Sequence, residues 1–277
     1  MTGAVSDKSN HRNLILFFTS VYLFSWLFWI PEALAVNGMV LPPPLKKFLS
    51  GPFNPAAFGP LVAAIVITLS NDGKKGLIPL LRRGIDFRFR KVWLIPVFFM
   101  FPLIYGITTL VASFSGWMKP EFPNLSNPAI LPIAFVFILL LGGPLQEEFG
   151  WRGYALDRLQ TRFGTLKSSV ILGFFWAIWH LPAAFCNKLL VPPGLFWIFI
   201  IMVILTSILF TWIYNNTGGS LFPVLLFHTV HNMTIWLLIP DMKMTLNTGL
   251  CSILFLSVAV VIVLTAGRLT KAPEMNS

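Results

Sequence analysis

Residues 129–152 read A-I-L-P-I-A-F-V-F-I-L-L-L-G-G-P-L-Q-E-E-F-G-W-R. An apolar run beginning near Ile130 ends in Gly142-Gly143-Pro144, and two adjacent carboxylates, Glu147 and Glu148, follow it. The run does not alternate polar with apolar residues, so it reads as a membrane helix and not as a barrel strand. A carboxylate at membrane depth costs roughly 2.5–3.5 kcal/mol on insertion scales, so a pair there calls for a functional explanation.

The composition agrees. Of 277 residues, 56% are hydrophobic and only 11% charged, with mean hydropathy +0.78. Soluble domains carry about 25% charged residues. The chain is therefore expected to be all-α, a polytopic membrane bundle of about eight helices. The spans are placed near 13–34, 55–70, 92–114, 129–144, 167–185, 194–214, 221–239 and 249–266. The first is longer than a signal-peptide core and is expected to stay as an anchor. Residues 1–12 are polar and expected to be loose. Leu77–Ile85 reads as a short interfacial helix with Arg82 and Arg83 towards the headgroups. In the fourth span the G-G-P triplet should bend or interrupt the helix. Three segments follow: an N-terminal three-helix portion (1–128), a core (129–239), and a C-terminal helix and tail (240–277).

Net charge is +10. Its distribution explains it without nucleic acid. With the N-terminus in the cytoplasm, 15 basic residues fall on inside segments: Lys8, Arg12, Lys74, Lys75, Arg82, Arg83, Arg88, Arg90, Lys91, Arg152, Arg158, Arg162, Lys167, Arg268 and Lys271. Only 5 fall outside: Lys46, Lys47, Lys119, Lys188 and Lys243. Basic residues concentrate in cytoplasmic loops, so both termini are expected there, in the plasma (inner) membrane. Cys186 and Cys251 show no metal-ligand spacing and read as packing residues.

Polar groups that could do chemistry cluster between Glu147 and Asn232. Glu148 and Arg152 are four apart and can pair on one helix face. Glu147 lies about 100° away around the helix with no basic residue at i+3 or i+4, and is the candidate general base. His180 ends F-F-W-A-I-W-H, with Trp176 one turn earlier and Trp179 adjacent. His228 and Asn232 share a face four residues apart and make a plausible pair of oxyanion donors. His231 lies about 60° from His228 and reads as a supporting or packing residue. Intramembrane polar groups face a bundle interior or a wet cavity, so these should converge.

E-E-F-G-W-R at Glu147–Arg152, W-A-I-W-H at Trp176–His180 and H-T-V-H-N at His228–Asn232 resemble, in order and spacing, the three motifs of the CAAX-protease and bacteriocin-processing family of intramembrane endopeptidases. That resemblance implies an active site within the membrane, open towards the cytoplasm. It implies water activation by Glu147 and His180, an oxyanion held by His228 and Asn232, and a Glu148 positioned by Arg152. Trp176 departs from the family's usual Phe, which bears on the shape of the pocket.

The resemblance favours a site without a tightly held metal. Glu147, His180 and His228 could nonetheless supply one oxygen and two nitrogens to Zn²⁺. The expected activity is endopeptidase cleavage near the cytoplasmic face. Substrates would be peptides or proteins with a hydrophobic or lipidated segment, with membrane lipids as surroundings. The alternatives are a proton- or metal-coupled transporter, or a non-catalytic immunity or scaffold protein. A transporter of the common kind would repeat its broken helix in each half, and G-G-P occurs once.

Overall fold

The computed structural model describes residues 2–51, 54–119, 121–239, 243–266 and 269, with side chains from residue 11 onward. Helices account for all its regular structure among the described residues. Among the described residues seven helical stretches are long and apolar enough to cross a membrane, and an eighth, Phe222–Leu238, is apolar but shorter. This is the eight-helix bundle expected from composition. Its backbone hydrogen bonds close within each helix, as a hydrocarbon environment demands.

The first helix, α1, runs Thr2–Val36 without interruption at Pro31. It takes in the polar residues expected to be loose, because extending an existing helix gains one hydrogen bond per residue fixed. A short helix, α2 (Pro43–Ser50), caps the next loop. The following helix, α3 (Gly59–Arg82), is broken at Gly73, whose φ of 60° and ψ of −155° are not helical. The break separates the second span from the amphipathic stretch anticipated near Leu77. Arg83 differs from the expectation. It turns inward instead of towards headgroups, with Nε donating to Gly219 O at 2.9 Å, Nη1 to Gly153 O at 3.0 Å, and an ion pair to Asp157 at 3.1 Å. Backbone carbonyls freed at Gly219 and Gly153 supply acceptors that a headgroup would otherwise offer.

Next come α4 (Leu94–Phe114) and α5 (Leu131–Leu141). The G-G-P triplet does interrupt the fourth span: α5 stops at Leu141 and α6 (Pro144–Gly150) starts afresh. Gly143 sits at φ 114°, a conformation that costs glycine little. A π-helical turn, Trp151–Leu156, then joins α6 to α7 (Asp157–Phe163). Such turns are rare and gather at functional sites. The rest is α8 (Thr165–Trp179), α9 (Leu181–Phe185), α10 (Phe196–Asn216), α11 (Phe222–Leu238) and α12 (Leu246–Thr265). Helix α10 is central, packed on α8 and α12, while α11 packs on α4 and α5. By contrast α5 has no buried residue and forms a wall one helix thick.

The connecting segments sort onto two ends. At one end Ser220 bonds Asp86 O, Arg162 meets His11, and Arg83 ties the Gly219 turn to α7. At the other, Lys188 pairs with Glu32, Asn37 donates to Phe185 O, and Met244 N donates to Leu190 O. The first set carries the segments assigned to the cytoplasm, and the second those assigned outside. Cys186 and Cys251 are both buried and unpaired.

Candidate active site

The two carboxylates sit on α6, the first helical turns after the break, and neither reaches solvent: Glu147 is 5% exposed and Glu148 0%. Gly143 makes this placement possible. A Cβ on Gly143 would lie 2.6 Å from Glu147 Oε1, so only glycine leaves that carboxylate its space. Gln146 folds back and accepts from Gly143 N at 2.7 Å, which fixes the start of the helix.

Glu148 pairs as its spacing predicts. Arg152 Nη1 donates to both of its oxygens at 3.0 and 3.2 Å, and His228 Nδ1 lies 2.8 Å from Oε1. The guanidinium lies between the faces of Trp176 and Phe210, at 4.4 and 4.5 Å from the ring centroids. All of Arg152 is buried. A buried charge in a membrane bundle persists only when paired, and this one has a carboxylate and two aromatic faces. Because a carboxylate only accepts, Nδ1 of His228 carries the proton, which leaves Nε2 for the cavity.

Glu147 is not left bare. Trp176 Nε1 donates to its Oε2 at 2.6 Å. The same indole lies 5.6 Å from the His228 ring and 6.3 Å from the His180 ring, centroid to centroid. Trp176 is thus the hub that ties three motifs together, a larger part than lining the pocket with aromatic surface. His180 Nδ1 donates to Trp176 O at 2.9 Å, which again leaves Nε2 free. Aromatic rings of Trp179 (4.6 Å), Phe199 (5.3 Å) and Trp29 (6.0 Å) hold the imidazole in place.

Asn232 Nδ2 donates to Gly142 O at 2.9 Å. One of its two N–H groups is spent there, and the second remains for a ligand. Its Oδ1 accepts from His231 Nδ1 at 3.1 Å, and His231 Nε2 accepts from Tyr105 Oη at 3.1 Å. His231 therefore orients the amide, as its position suggested. Tyr105 and Trp29 were not singled out from sequence. They lie on α4 and α1, outside the motif region, among 27 Phe, 10 Trp and 4 Tyr, and nothing local marks them.

Glu147, His180, His228, His231 and Asn232 all line one cavity of about 650 Å³. Its size suits a peptide segment, and it has mostly apolar walls with a few convergent polar groups. It lies between α1, α4, α5, α8, α10 and α11. Trp29 is near the end of α1, Ile133, Ala134, Phe137, Ile138 and Leu141 line it along the length of α5, and Lys188–Leu190 adds the stretch between α9 and α10.

Among the described residues no group of three His, Cys, Asp or Glu side chains is placed to hold a metal ion. Glu147, His180 and His228 share a chamber, but Glu147 Oε2 is taken by an indole donor and His228 Nδ1 by Glu148. The three do not form a ligand set as they stand.

Comparison with known proteins agrees with this reading. The model of the family described as "Type II CAAX prenyl endopeptidase Rce1-like" matches residues 129–234. The protein "CAAX prenyl protease 2" of Methanococcus maripaludis is 28% identical over 269 residues, covering 92% of this chain and 95% of that protein. The match region contains Glu147, Glu148, Arg152, His180, His228 and Asn232. The chain is thus similar to type II CAAX prenyl endopeptidases across residues 129–234, and its apolar helices are those of an integral membrane protein.

Proposed function

We propose that this protein hydrolyses peptide bonds inside the membrane with water activated by Glu147 and His180. The observation that carries the reading is the shared cavity: a buried carboxylate, two imidazoles with free Nε2 atoms, and an amide N–H all face it. A water molecule between Glu147 and His180 Nε2 gives its proton to this pair as its oxygen attacks the scissile carbonyl carbon. The carbonyl π pair moves onto oxygen. That oxyanion is met by the second N–H of Asn232 and by His228, which in this role carries protons on both nitrogens and is balanced by Glu148. The proton taken from water then goes to the leaving amine nitrogen as the C–N bond breaks. Arg152 holds Glu148, and Trp176 holds Glu147. No step is routed through a metal.

The relative's printed name speaks of a prenyl protease. For this chain the apolar chamber favours a substrate with a hydrophobic or lipid-modified segment beside the scissile bond, with membrane lipids covering the thin α5 wall. We place the protein in the plasma (inner) membrane, with both termini cytoplasmic on the charge distribution. The test is cleavage of a quenched fluorescent apolar peptide by protein in detergent. Glu147→Gln should abolish turnover while the protein still folds and binds peptide. Full turnover by that variant would overturn the reading in favour of a non-catalytic role.

A further inference from the structure

We propose that Thr206 is a substrate-binding residue of the chamber, its hydroxyl donating to a carbonyl oxygen of the bound peptide beside the scissile bond. The inference rests on the endopeptidase reading for what the chamber holds, and on the side chain's own surroundings for its part.

Thr206 lies on α10 and lines the cavity, yet no step of the hydrolysis uses it. Only 3% of it is exposed. A buried hydroxyl on a helix has a ready partner, the carbonyl four residues earlier. Thr108, Thr211, Thr229 and Thr234 all take it, donating to Ile104, Ser207, Leu225 and Val230 O at 2.6–3.0 Å. Thr206 does not, and its hydroxyl makes no hydrogen bond among the described residues. Nor is the oxygen sealed in protein: it keeps accessible surface, and the space beside it is the chamber. The polar atom is turned away from its own helix and into a mostly apolar space. A buried polar group without a protein partner calls for an explanation, and a ligand supplies one here.

Its place on α10 says what that ligand is. Phe199, Val203, Thr206 and Phe210 follow at i, i+4, i+7 and i+11 and form one stripe of the helix. At one end of the stripe Phe199 meets the His180 ring, centroids 5.3 Å apart. At the other, Phe210 meets the rings of His228 at 5.3 Å and Trp176 at 5.6 Å. At a rise of about 1.5 Å per residue, Thr206 stands about 6 Å along the axis from Phe210 and about 10 Å from Phe199. The hydroxyl therefore falls between the levels of the two imidazoles, where the scissile bond must lie. Phe199, Met202 and Val203 line the chamber beside it and offer no side-chain hydrogen bond worth the name. A peptide laid along this stripe brings carbonyl and N–H groups that have lost water on entering, each costly if left unpaired. Thr206 meets one of them, and so sets the register of the segment against Glu147 and Asn232.

The test is Thr206→Val, which keeps the shape and removes the hydroxyl. KM for an apolar peptide should rise roughly 10-fold with kcat unchanged, because one hydrogen bond common to bound substrate and transition state is lost. The unfolding midpoint in detergent should hold or rise, because no bond within the protein is broken. Thr206→Ser should restore KM. Thr211→Val is the converse control: its hydroxyl bonds within α10, so the midpoint should fall and KM should not change. Four results would each overturn the proposal: wild-type KM in Thr206→Val, a loss of stability there matching that of Thr211→Val, a fall in kcat alone, or a Thr206→Ser no better than Thr206→Val.

A second arm measures binding of a fluorescently labelled apolar peptide to Glu147→Gln by anisotropy, without turnover. Glu147→Gln/Thr206→Val should bind it roughly 10-fold more weakly than Glu147→Gln, and equal binding overturns the proposal. If wild-type protein cleaves no peptide while this difference holds, the endopeptidase reading fails and the Thr206 contact stands.

Discussion

Replacing Arg152 with Met removes the guanidinium that holds Glu148 in the core. The native pair is short (3.0 and 3.2 Å), and both partners are 0% exposed. Breaking one partner of a buried ion pair leaves the other charge uncompensated, at about 3–5 kcal/mol. That is roughly 10²- to 10⁴-fold in the folding equilibrium. Glu148→Gln should cost a similar amount, because it strands Arg152 between Trp176 and Phe210. The double variant Glu148→Gln/Arg152→Met leaves no stranded charge, and should be more stable than either single one.

Activity should not follow stability. In the double variant His228 Nδ1 faces a neutral amide, so the charge that balances its protonated form is gone. Turnover should drop by roughly 100-fold or more, the scale seen when oxyanion support is lost. The assay is denaturant unfolding in detergent micelles, followed by tryptophan fluorescence, alongside peptide cleavage. Additive costs in the double variant would refute the coupling argument. Wild-type turnover in the double variant would refute the part given to Glu148.

Other expectations follow from the same geometry. Gly143→Ala should lose nearly all turnover while remaining folded, because its Cβ would intrude 2.6 Å from Glu147 Oε1 at a φ of 114°; cleavage and thermal unfolding measured on one sample check this. Trp176→Phe removes a charge-assisted donor worth about 1.5–3 kcal/mol, so kcat should fall by roughly 10-fold or more. Tyr105→Phe should lower kcat by a few-fold with KM unchanged, since Tyr105 acts through His231 and Asn232. Burial, reinforced by nearby Glu32, pushes the Cys186 thiol up to about 12. At pH 8 the folded protein should therefore hold Cys186 as an inert thiol, seen as no mass shift with maleimide.

The motif residues were legible in the sequence because membrane helices are otherwise poor in polar groups. Glu147, Glu148, Arg152, His180, His228 and Asn232 stand out against apolar runs, and helical spacing alone pairs Glu148 with Arg152. The break at Gly142–Pro144 was legible for the same local reason. Trp176 was seen as an aromatic neighbour, but its hydrogen bond to Glu147 depends on how α8 meets α6, which no single helix encodes. Tyr105 and Trp29 belong to helices distant in sequence and look like any lipid-facing aromatic.

Arg83 read as an interfacial cation because the acceptors that draw it inward, on Gly153 and Gly219, come from segments far along the chain.

The measurement that bears most directly on the central claim compares wild-type protein with Glu147→Gln in one preparation, by hydrolysis of an apolar peptide and by unfolding in detergent. The carboxylate is the base in this account, so turnover should vanish while the unfolding transition stays cooperative and peptide binding persists. Turnover at the wild-type rate from Glu147→Gln would contradict it.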